Sequence, residues 1–250
     1  MRIAYKYSII LILGLVISCK DKQKLQNKVQ EVLTPFPCIV DSQKVKRFSF
    51  DDENPTWLST AFYELNYIGK LKDTVSLENA IKFSFYNPET KNEIKDNHMK
   101  YYIDWLKKVS FKNWENSKIE IQIGEKSISN SLPVLIRNNN KDTIAIGYGS
   151  QIPIVMEALN EKKEWKPIQE KFIYMCGNGV GTIVLPPGEI AITLAPFFKG
   201  KQKTKLRLVF GDNKSKQFWG YINKRQFESK FDGGDFKEEY KKENPHYNDF

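Results

Sequence analysis

Cysteine, histidine and arginine are all scarce in this 250-residue chain. Three cysteines are too few for a small scaffold built on disulfides. The histidines are His98 and His246 alone, and no Cys-x-x-Cys pair occurs, so the residue pattern of a zinc site is missing. No Asp-x-Asp-x-Asp-Gly run marks a calcium loop, and neither a metal nor a cofactor is expected. Only five of the 39 basic residues are arginine, the side chain that makes bidentate contacts to bases and phosphates, so a nucleic-acid partner is not expected. The longest largely apolar stretch, residues 7–17 with only Ser8 and Gly14 interrupting, is about half of the ~20 residues that span a bilayer as a helix. With 40% hydrophobic and 28% charged residues the chain is neither a multi-span membrane protein nor wholly disordered.

Catalytic constellations are also missing. A nucleophilic Cys176 would need a histidine and an orienting group, yet His98 falls on a predicted helix and His246 in a polar tail. Gly177-Asn178-Gly179-Val180-Gly181 has Gly-x-Gly-x-Gly spacing, with no helix after it whose N-terminus could hold a phosphate, and reads as a turn. Gly149-Ser150 lacks the flanking glycines of a nucleophile elbow. The chain is expected not to be an enzyme.

What is present begins with a leader. Arg2 and Lys6 precede the apolar run, and Ser18 and Cys19 follow it before the charged Lys20-Asp21-Lys22. The pattern reads as a signal peptide over residues 1–18. The junction Leu15-Val16-Ile17-Ser18-Cys19 resembles the lipobox of bacterial lipoproteins. The resemblance implies cleavage before Cys19, a diacylglyceryl thioether on its sulfur and acylation of its amine. Two or more acyl chains hold a protein on a membrane stably, where one binds marginally. An ordinary secretory signal with an incidental cysteine is the alternative. Lys20 stands where inner-membrane retention would use Asp, so the outer membrane is expected over the inner. Cleavage removes two positive charges from the net +9, and the remaining basic excess suits anionic envelope surfaces or solubility.

Residues 19–34 read as the lipid anchor and a polar tether. Residues 35–130 read as a small α+β region: strands over 62–68, 74–77, 81–86 and 119–123, and a helix over 96–109 from Met99, Tyr102, Ile103 and Leu106 at helical spacing. Residues 131–228 show about eight short strands with turn signals every ten residues or so. They cover 132–137, 143–148, 152–158, 172–176, 182–185, 190–194, 206–210 and 220–222, with Lys205 and Arg207 on the opposite face to Leu206 and Leu208. Residues 229–250 read as a polar, disordered or loosely packed tail.

The fold class predicted is mainly β, an antiparallel sandwich with the α+β region packed on it. Four segments carry a resemblance to bacterial immunoglobulin-like domains: the Asn-rich turn before Thr143-Ile144-Ala145-Ile146, then Trp165-Lys166-Pro167-Ile168, Leu185-Pro186-Pro187-Gly188-Glu189 and Lys205-Leu206-Arg207-Leu208. Glu164 stands where those domains usually carry glycine. The resemblance implies an immunoglobulin-like sandwich and bears on fold rather than function. The whole chain looks like the lipoproteins of outer-membrane-bearing bacteria.

With Cys19 lipidated, Cys38 and Cys176 form an even pair in an oxidising compartment. A bridge between them would close a loop worth about 4–5 kcal/mol on the entropic account; two thiols that never meet are the alternative. The five tryptophans and the run Phe218-Trp219-Gly220-Tyr221 suggest a binding surface, for which Trp57, Trp219 and Tyr221 are the candidates. Trp165 is expected in the core. Two functions follow as expectations: a non-catalytic, lipid-anchored envelope protein that offers a sheet edge or loops to a protein partner, or a carbohydrate- or ligand-binding accessory of nutrient uptake.

Overall fold

Two long apolar segments, residues 131–138 and 190–196, form the centre of the molecule. Both are buried on both faces, so they read in the sequence as near-continuous hydrophobic runs. The computed structural model describes residues 34–45, 55–78, 102–104, 110–115, 117–173 and 180–245. Residues 36–250 belong to one compact unit.

In chain order the first strands are β1 (Cys38–Val40), β2 (Ser59–Ala61), β3 (Tyr67–Gly69), β4 (Thr74–Ser76), β5 (Ile103–Asp104) and β6 (Ile119–Ile123). They are followed by β7 (Ser131–Asn138), β8 (Ile144–Tyr148), β9 (Val155–Leu159), β10 (Trp165–Pro167), β11 (Gln169–Lys171) and β12 (Thr182–Leu185). The last are β13 (Ile190–Pro196), β14 (Gln202–Phe210), β15 (Asn213–Lys214), β16 (Phe218–Ile222), β17 (Phe231–Asp232) and β18 (Asp235–Phe236). A short helix, α1 (Glu238–Glu243), comes after them.

The protein is mainly β and its larger sheets are antiparallel. One runs β3-β13-β7-β6 and a second β5-β12-β8. The third runs β10-β9-β14, with β15 and β16 sharing the side of β14 away from β9. Two short pairs, β1 with β4 and β2 with β11, are parallel. Strands before residue 131 thus pair with strands after it: β3 lies on β13, β6 on β7 and β5 on β12.

Alternation sorts the central sheet into two cores. Val134 and Ile136 of β7 and Ala191 and Ala195 of β13 face one core, shared with Ile144, Met156, Leu206 and Leu208 of the other sheets. Leu135, Ile190, Ile192 and Leu194 face the other, with Val75 and Leu77. Each fully buried aliphatic side chain contributes about 1.5–3 kcal/mol by leaving water. The Asn-rich turn after β7 is fixed by buried Asn138. Its amide donates to the carbonyls of Asp142 and Leu185, both at 2.8 Å, and its oxygen accepts the Asn140 amide at 2.9 Å.

The structure departs from the sequence expectation in three segments. Inside the helix expected over 96–109, Ile103–Asp104 forms β5 and pairs with Ile183 and Thr182; the rest of that span, apart from Tyr102, lies outside the described residues. The strand expected over 172–176 is not formed at Phe172 and Ile173, which follow β11 without strand pairing and leave Ile173 73% exposed; residues 174–176 lie outside the described residues. The tail expected to be disordered is ordered through residue 245: β17 and β18 pair, Phe231 stacks on Phe236, and Phe236 stacks on Tyr240 of α1. Three rings in register give this polar segment a small apolar spine of its own.

Candidate functional site

The outer face of the third sheet brings together two of the three candidate aromatics. Strand period puts Phe218, Gly220 and Ile222 of β16 toward the core and Trp219 and Tyr221 outward. Trp219 is 63% exposed and Tyr221 49%. Their cross-strand neighbours on β14 are Lys205 and Lys203, respectively. Both ammonium groups lean over the Trp219 indole, at 5.6 Å (Lys203) and 5.8 Å (Lys205) from its ring centre. Among the described residues no carboxylate pairs with either lysine.

The next outward residue of β14, Arg207, is occupied. It meets Glu157 of β9 through Nη2 at 2.6 Å and Nε at 2.7 Å. Its guanidinium lies 4.2 Å from the Trp165 ring centre. Trp165 is therefore half-buried beneath Arg207 on the outer face, not in the core as expected.

The two edges of this sheet differ. β10 is three residues long and ends in Pro167, which has no N–H to offer and blunts the edge. β16 is five residues long and contains no proline. Its ladder partner is β14, and among the described residues no backbone hydrogen bond reaches its other side. Two glycines allow β16 to sit so close. A Cβ on Gly200 would come within 1.8 Å of the Ile222 carbonyl carbon, and one on Gly220 within 2.3 Å of Leu206 Cδ1.

Trp57, the third candidate, is not on a surface. It is 5% exposed, and its indole nitrogen donates to Glu243 Oε2 at 3.0 Å. Arg225 stacks on it at 4.5 Å and Tyr240 meets its edge at 6.1 Å. It anchors the C-terminal segment and is unavailable for binding. Of the cysteines, Cys38 carries an exposed free thiol on β1, while Cys19 and Cys176 lie outside the described residues. The Gly177–Gly179 turn and both histidines also lie outside them.

A cleft of about 440 Å³ lies elsewhere, between β3 and β4, lined by Tyr67, Gly69, Lys70, Thr74, Glu78 and Tyr102, among others. Burial, then the hydrogen bond to Glu189 and its charge, push the Tyr102 hydroxyl up to about 12. Burial, with Glu189 and Glu78, also raises Tyr67. Both hydroxyls are neutral donors at physiological pH rather than bases. Glu78 is the one carboxylate among the described lining residues, and Glu189 reaches the Tyr102 hydroxyl.

The sequence reading missed Lys203. The signal was present: Lys201, Lys203, Lys205 and Arg207 alternate with the inward residues of β14, but only pairing with β16 puts two of them over Trp219. Among the described residues no helix is long and apolar enough to cross a membrane. No family model, no curated protein and no solved structure matches the chain.

Proposed function

We propose that the chain is a lipid-anchored, non-catalytic protein of the cell envelope, held through Cys19, that presents an immunoglobulin-like β-sandwich to a protein partner. The partner docks at the open edge of β16. The observation that carries this reading is the contrast between the blunted β10 and the proline-free β16 with exposed Trp219 and Tyr221. An unpaired strand edge offers main-chain donors and acceptors, which an extended segment completes as an added strand. Aromatic side chains beside that edge supply the apolar area that dominates interface energies.

The carbohydrate reading is weaker on the same face. A sugar ring stacks on a bare aromatic plane, and the Trp219 plane already carries two lysine ammonium groups. Anchoring at Cys19 would keep the chain at the envelope membrane, where its partners are other envelope proteins.

The test is site-specific photocross-linking in the native envelope. A photoreactive residue replaces Tyr221 in one strain and Lys166, on the blunted edge, in another. One stoichiometric protein adduct at Tyr221 and none at Lys166 is the expected result. Equal adducts at both positions, or none at Tyr221, overturn the docking edge. The anchor is tested separately: Cys19→Ala abolishes incorporation of labelled fatty acid, and retained label overturns it.

A further inference from the structure

Resting on that reading, we infer that the segment added to β16 is an acidic strand, alternating Asp or Glu on its outward face with apolar residues on its inward face. The charge distribution is the first ground. Residues 190–227 contain nine Lys or Arg and a single acidic residue, Asp212. Arg207 is matched by Glu157, but Lys203 and Lys205 are not matched by any described carboxylate.

Position is the second ground. Lys203 and Lys205 belong to β14, one strand in from the edge, yet both Nζ atoms reach over Trp219 of β16. Their charge therefore sits near the open side. Neighbouring strands lie about 4.8 Å apart, so outward side chains of an added strand would stand beside Trp219 and Tyr221 and within reach of both ammonium groups. Carboxylates there gain charge-assisted hydrogen bonds. Lysines there would be repelled.

The inward face supplies the third. Opposite Phe218, Gly220 and Ile222 the added strand meets the margin of the core, where Ile222 is fully buried and Phe218 packs on the cluster. Apolar side chains suit those positions. A second copy of this chain is a poor occupant, because edge-to-edge pairing would bring its own Lys203 and Lys205 toward the same place. An anionic lipid surface would match the lysines and aromatics but would leave the β16 ladder groups without strand partners.

The test uses the mature full chain and synthetic peptides alternating Val with Glu, Val with Thr, or Val with Lys. The Val–Glu peptide is expected to bind, with slowed amide exchange across residues 218–222 and affinity that falls as salt rises. The double variant K203E/K205E weakens it about tenfold, as expected for two exposed charge pairs reversed, and binds the Val–Lys peptide instead. N-methylation of alternate peptide amides abolishes the exchange protection. If the Val–Thr peptide binds as tightly as Val–Glu, the acidic inference falls and the edge remains. If the Val–Glu peptide binds without slowing exchange at 218–222, the docking edge falls as well. If anionic vesicles, and not the peptide, slow exchange there, the occupant is a lipid surface and the inference is overturned.

Discussion

The indole nitrogen of Trp57 donates to Glu243 Oε2 across 3.0 Å, joining residues 186 apart in the sequence. The same carboxylate accepts from Arg225, which stacks on the Trp57 ring. One side chain near the start of the folded unit therefore holds α1 and the β17–β18 hairpin in place. The order of the polar C-terminal segment depends on this clasp and on the Phe231-Phe236-Tyr240 stack.

The clasp should be sensitive to acid. The Arg225 hydrogen bond, and then that of Trp57, hold the Glu243 carboxyl below its ordinary 4.5. A group whose folded pKa is depressed stabilises above its unfolded value and loses that contribution as pH falls through the folded one. The clasp is thus fully formed at neutral pH and loosens only below 4.5. The indole N–H resonance of Trp57, followed by NMR against pH, should move with a midpoint below that value. In Glu243→Gln the transition should vanish. A midpoint above 4.5 would contradict the assignment.

Gly200→Ala should destabilise the chain by about 1–3 kcal/mol, the usual cost of overpacking. The added methyl meets the Ile222 backbone, which has no flexible end to move aside. Denaturant unfolding would measure the loss, and amide exchange should place it first at β16. An unchanged midpoint would mean that the loop before β14 yields easily.

Asn138→Ala should cost about 2–3 kcal/mol. Its fully buried amide satisfies two carbonyls and one backbone N–H at once, and their loss strands buried polar groups. Asn138→Asp should be worse, because it removes the donors and buries a charge. Thermal unfolding of the two variants would give the order, and the reverse order would refute the network.

Arg207→Ala and Glu157→Ala should couple by about 1 kcal/mol in a double-mutant cycle. The pair is mostly buried, contacts through two nitrogens, and sits in register between β14 and β9. Arg207→Lys should recover only part of this, because an ammonium neither forks onto one carboxylate nor stacks flat on Trp165. Coupling indistinguishable from zero would make the contact incidental.

Much of the β architecture was legible because period-2 alternation survives wherever a strand has one dry face. β6 and β12 fall where the pattern put them, and β14 and β16 extend it by a few residues. β13 was legible from Ile190, Ile192 and Leu194 at alternate positions, although burial on both faces leaves only Thr193 as a polar residue in the strand. The helix expected over 96–109 had apolar residues at helical spacing, but Ile103 found a cross-strand partner in Ile183, a contact between distant residues that no local window contains. The binding candidates split for a similar reason. An aromatic residue reads alike in a core and on a surface, so Trp57 and Trp219 could not be told apart in the sequence.

By itself the sequence determined the strand content, the turn chemistry around Asn138 and Gly188 and the basic character of residues 190–227. These are properties of composition and of neighbours a few residues apart. Tertiary structure alone decided which strand is left at a sheet edge among the described residues, that Lys203 and Lys205 reach over Trp219, and that Trp57 is a buried anchor. Those depend on pairings between segments tens to hundreds of residues apart, where the entropy of closing the loop is offset only by the completed sheets and cores.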